Sequence, residues 1–118
     1  AEWSFAMTGS TYLGWDSSNG RGLQMGKSKE PASEVTLSTS GISGNIKKIV
    51  VNTAGATGTD AELVVKVGET ALGSPVKTTT TATDYTFEAE TAVSGAVELK
   101  WTLKTAAVYI KSISVYTE

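Results

Sequence analysis

The sequence predicts an all-β protein: a two-sheet antiparallel β-sandwich with jelly-roll or Greek-key connections and about eight or nine strands. Three observations lead there. Apolar and polar residues alternate singly through nearly every ordered-looking stretch, the period of a half-buried strand and not of a helix. Short clusters rich in Gly and Ser separate these stretches, with turn signals roughly every 8 to 12 residues. No window carries the helical spacing of apolar positions.

The elements follow in order. Trp3, Phe5 and Met7 share one face and Glu2, Ser4 and Ala6 the other, which reads as a first strand. Residues 8–21 read as a loop, with Gly9, Gly14 and Gly20 around Tyr12 and Trp15. Residues 22–26 form a short strand with Leu23 and Met25 on one side and Gln24 on the other. Residues 27–33 are a polar connection in which Pro31 excludes a central strand. Val35 and Leu37 then alternate with Thr36 and Ser38, and residues 40–44 make a turn. Residues 47–52 are a strand with Ile49 and Val51 toward the core, closed by a turn over 54–58. Ala61, Leu63, Val65 and Val67 are a clean stripe ended by Gly68, and 69–72 lead into a short strand near Val76. The threonine-rich residues 78–83 are a solvated loop or strand edge, since Tyr85 and Phe87 resume the alternation at once. Val97, Leu99, Trp101 and Leu103 form the most regular stripe. In the last strand Ile110 and Ile113 are three apart, so a β-bulge near Lys111 and Ser112 is needed to turn both inward.

Composition bounds the function. A chain of 118 residues suits one domain, 1–118, and its 40% hydrophobic and 19% charged content is globular. The net charge of −2 leaves no field for nucleic acid, and the closest basic grouping, Lys27 and Lys29, is answered by Glu30. Cysteine and histidine are absent, which excludes disulfides, thiol nucleophiles, histidine-based triads and the usual zinc sites. No apolar run approaches the roughly 18 to 20 residues of a membrane span, and the first residues lack the pattern of a signal peptide. The chain is therefore expected to be a module excised from a larger secreted protein, tethered to other domains of its parent.

Particular strings carry a resemblance. Residues 22–33 (Gly-Leu-Gln-Met-Gly-Lys-Ser-Lys-Glu-Pro-Ala-Ser) and 44–52 (Gly-Asn-Ile-Lys-Lys-Ile-Val-Val-Asn) resemble β-sandwich modules appended to secreted proteins of gut and anaerobic bacteria. So do Gly55-Ala56, residues 61–68, 84–87 and 109–116. The similarity runs through most of the chain from Gly22 onward and lies in turn glycines, core stripes and the closing strand. Modules of this kind are similar to galactose-binding-like and carbohydrate-binding jelly rolls. The resemblance implies an accessory, non-catalytic role outside the cell or at its surface, with a polysaccharide or glycan as partner.

Carbohydrate recognition needs flat aromatic faces for sugar C–H groups and a few polar groups for the hydroxyls. The segment 12–21 offers both: Trp15 as platform, Tyr12 beside it, and Asp16, Asn19 and Arg21 as hydrogen-bonding side chains. The competing reading makes Trp15 a plug at one end of the sandwich and the module a structural or adhesive spacer with no sugar site. Trp3 and Trp101 stand in core stripes, and Tyr85, Tyr109 and Tyr116 read as boundary residues. No catalytic residue is expected. Glu62, Glu88, Glu90 and Glu98 lie on strand faces, but paired-carboxylate chemistry lacks a cleft here. No cofactor is expected either. Structural calcium would draw on Asp16, Asn19, Asp60, Glu62 and Asp84, whose spacing matches no known calcium loop.

Overall fold

A computed structural model describes residues 2–16, 20–27, 29–56, 61–103 and 107–118. Alternation becomes strand throughout: β1 (Ser4–Thr8), β2 (Leu13–Asp16), β3 (Gly22–Gly26), β4 (Glu34–Thr39), β5 (Ile46–Gly55), β6 (Glu62–Val67), β7 (Thr70–Lys77), β8 (Thr83–Val93), β9 (Val97–Thr102) and β10 (Ala107–Thr117). Among the described residues there is no helix. One sheet has the order β1-β4-β9-β6-β7 and the other β2-β3-β10-β5-β8. Every pairing among the described strands is antiparallel.

The core is built from rows of cross-strand partners. In the first sheet, Phe5, Leu37, Leu99, Val65 and Leu72 stand opposite one another in turn across all five strands. Met7, Val35, Trp101, Leu63 and Val76 make the next row. The second sheet answers with Trp15, Leu23, Ile110 and Thr53, with Ile113, Val51 and Tyr85, and with Val115, Ile49 and Phe87. Leu63, Val97, Leu99 and Trp101 are wholly buried and Val65 nearly so, so the predicted stripes are the core. Each such side chain removed from water contributes about 1.5 to 3 kcal/mol.

The bulge lies where the apolar spacing requires it. Between Ile110 and Ser112 the register of β10 against β5 shifts by one, leaving Lys111 without a partner. Ile110 then stands opposite Thr53 and Ile113 opposite Val51, on one face. Beneath it a buried polar relay is satisfied. The Trp101 indole N–H donates to Thr53 Oγ1 at 3.2 Å, and the Thr53 hydroxyl donates to the Tyr109 carbonyl.

Several expectations are corrected. The described residues form ten strands, not eight or nine, because the supposed loop over 8–21 contains β2. Its Gly14 lies not in a loop but within β2, where a Cβ would lie 2.9 Å from the Tyr12 ring carbon Cζ, so glycine makes room for that ring. β5 also runs on to Gly55, past the expected start of its closing turn. Trp3 is only half-buried, because it precedes β1 at the rim of its sheet. Tyr109 is buried and not at a boundary, since the Arg21 guanidinium lies 3.9 Å from its ring centroid.

Candidate functional site

β1 and β2 are edge strands of opposite sheets, and the gap between them holds an open groove of about 320 Å³. Trp15 and Leu13 face the same way as Leu23 and Met25, their partners on β3, so by parity they point toward the facing sheet. At this border the facing sheet does not cover them. Trp15 is 71% exposed, Leu13 48% and Phe5 44%. Trp3, Phe5 and Trp15 line the groove, with the deeply buried Leu37 and Ile110 behind them and Leu23 and Ile113 half-buried between. Lys111 and Ser112, both exposed, supply its polar lining.

Backbone geometry places these groups. Gly22 opens β3 at φ +87°, a conformation costly for any residue with a Cβ. A Cβ there would collide with the Ile110 carbonyl and approach Lys111 Cα to 2.8 Å. The start of β3 is thus pressed against the β10 bulge, which sets Trp15 and Lys111 into one groove.

The five residues singled out in the sequence are divided by the sheet. Trp15 is in the groove. Tyr12 lies over Gly14, on the outer face that Gln24 and Tyr109 share, with Lys27 Nζ 4.6 Å from its ring centroid. Arg21 is on that outer face too, over Tyr109. Cations therefore occupy one face of each of these tyrosines, leaving less ring surface for stacking. The Asp16 backbone ends β2 opposite Gly22. Its side chain, and Asn19 altogether, lie outside the described residues.

Trp3, Phe5 and Lys111 line the groove without having been singled out for it. The sequence signal of Trp3 and Phe5 is the core-face parity that also marks Trp101, and that of Lys111 is the expected bulge; neither carries information about which strand lies at an edge.

Carboxylates are dispersed. Asp84 accepts a hydrogen bond from Asn52 Nδ2 at 2.9 Å on the outer face of the second sheet, whereas Glu62 and Glu98 lie on the outer face of the first. Asp60 is outside the described residues. Among the described residues, no three acidic groups come together as a metal centre would need. A larger hollow of about 520 Å³ between β7 and β8 is lined by residues such as Thr70, Ser74, Glu88 and Glu90, and holds no aromatic ring. The aromatic groove is therefore the better candidate for recognition.

No protein-family model matches the sequence, and no curated protein matches it. Two solved structures match. One is TmCBM61, solved in complex with β-1,4-galactotriose, at 13% identity and a TM-score of 0.68, covering 98% of this chain and 88% of that one. The other is the carbohydrate-binding module CBM36, solved in complex with calcium and xylotriose, at 18% identity and a TM-score of 0.48, covering 98% of this chain and 100% of that one. The likeness to TmCBM61 concerns the fold: the two sheets of this chain form a β-sandwich of the kind found in that carbohydrate-binding module.

Proposed function

We propose that the chain is a non-catalytic glycan-binding module of an extracellular bacterial protein, tethered to other domains of its parent, and that the groove between β1 and β2 holds the sugar. The observation that carries this reading is Trp15, a large aromatic left 71% exposed in a groove flanked by two further aromatic side chains. An indole in that setting offers a flat apolar face to the C–H side of a pyranose, with Phe5 and Trp3 extending the surface. Ser112 and Lys111 meet hydroxyls at the other lining. Asp16 and Asn19, which follow Trp15 in the chain, are proposed as further hydrogen-bonding partners. Tyr12 and Arg21 support the arrangement from the opposite face, one packed on Gly14 and the other on Tyr109. The absence of histidine and cysteine from the sequence, and a wide groove in place of a closed cleft, favour binding without catalysis. A few stacking faces with sparse hydrogen bonds give micromolar to millimolar affinity, roughly −4 to −8 kcal/mol.

A polysaccharide panel run on the wild type and on Trp15→Ala, with melts of both, tests this. Less than a third of the Trp15 surface is covered by protein, so its removal costs at most about 1 to 2 kcal/mol of stability. The expected result is binding by the wild type, lost in a variant that stays folded. If the wild type binds no glycan, the module is a structural or adhesive spacer.

A further inference from the structure

We propose that the groove selects acidic glycans, with Lys111 pairing the carboxylate of a uronic acid whose ring stacks on Trp15. The inference rests on the glycan-binding reading and deepens it. Lys111 is the sole ionisable side chain among the described residues lining the groove, and the other lining residues are aromatic, aliphatic or serine. It is the extra residue of the β10 bulge, skipped by the β5 register, and the close approach of Gly22 fixes its backbone. Its ammonium has no hydrogen bond, ion pair or ring contact with any described residue.

Other cations are engaged elsewhere. Arg21, Lys27 and Lys48 lie over Tyr109, Tyr12 and Tyr116, respectively. Lys47 donates to the carbonyls of Ala89 and Glu90 at 2.6 and 2.8 Å, and Lys100 pairs with Glu34 at 3.5 Å. A free ammonium beside a stacking platform is complementary to a ligand with an apolar ring face and an anionic edge. A uronic acid has both on one residue. No carboxylate stands among the described residues lining the groove, so the one acidic group set near the sugar is Asp16, proposed above as a partner for its hydroxyls. With a net charge of −2 the chain has no general attraction for polyanions, so the preference depends on this one side chain and one substitution removes it.

The test pairs each acidic polysaccharide (polygalacturonate, alginate, glucuronoxylan) with its carboxyl-reduced counterpart, in which the same residues carry primary alcohols. Binding is measured for the wild type, Lys111→Gln, Lys111→Arg and Trp15→Ala, at low and high salt. The wild type should favour at least one acidic form by about fivefold, the upper range for a solvent-exposed charge pair. That margin should vanish in Lys111→Gln, persist in Lys111→Arg and shrink with salt. Trp15→Ala should lose both forms. Equal binding of acidic and reduced forms by the wild type, or a margin that survives in Lys111→Gln, overturns the acidic preference and leaves glycan binding standing. Binding of no polysaccharide overturns both.

Discussion

Removing either end of the buried Trp101–Thr53 contact should reveal a coupling that neither substitution shows alone. Both residues are wholly buried, and the indole N–H has the Thr53 hydroxyl, at 3.2 Å, as its partner. Thr53→Val keeps the β-branched shape but strands the N–H in a dry interior, and it also deprives the Tyr109 carbonyl of the hydroxyl donor. Orphaning a buried polar group costs about 1 to 3 kcal/mol. Trp101→Phe keeps an aromatic ring and removes the donor, at a cost of about 1 to 3 kcal/mol for the volume left unfilled. Once the N–H is gone, Thr53→Val no longer strands it. The double variant should therefore be more stable than the sum of the two losses implies, by about 1 to 2 kcal/mol. Urea unfolding of the wild type and the three variants closes the cycle, provided the slope of each transition is unchanged. Additivity within about 0.5 kcal/mol would refute the argument. The relay would then be a by-product of packing and not a contributor to stability.

Other perturbations have equally definite outcomes. Leu99→Ala, in the middle of the five-residue row across the first sheet, should cost about 2 to 5 kcal/mol in denaturant melts, and a loss below about 1 would mean the wrong face was assigned to the core. Gly22→Ala should destabilise far more than Gly20→Ala. Both have positive φ, but a Cβ at Gly22 strikes the β10 backbone while one at Gly20 meets no described residue within 4 Å. Gly20→Ala should thus cost about 1 to 2 kcal/mol for its backbone conformation alone, and similar melting temperatures for the two variants would contradict the packing of β3 on the bulge. With no histidine in the chain, stability should stay level between about pH 5 and 8 in a melting series. A steep slope there would reveal a buried ionisable group.

The alternation of side chains was enough to identify the core. Val97, Leu99 and Trp101 declare their face by period alone, because a strand sends successive side chains to opposite sides whatever its neighbours are. The three-residue spacing of Ile110 and Ile113 demanded a bulge for the same reason, and the register shift at Lys111 supplies it. Gly14 misled in the opposite direction. Among its neighbours this glycine suggests a loop, whereas here it is the gap that a tyrosine two residues earlier fills, a contact that depends on how the chain folds back.

Trp15 and Trp101 separate what the sequence by itself determined from what only the tertiary structure decided. Both point toward the interior by strand parity, although in the sequence residues 8–21 read as a loop and only Trp101 stands in a regular core stripe. Trp101 lies on β9, flanked by β4 and β6, and is wholly buried; Trp15 lies on β2, at the border of its sheet, and is 71% exposed. Local sequence sets which way a side chain faces, since that follows from the dihedral angles of its own strand. Whether anything stands opposite to cover it depends on strand order, which is set by pairings between residues far apart in the chain. The aromatic groove and its lysine exist because two edge strands of different sheets meet at one border, and the free energy that brings them there belongs to the whole sandwich.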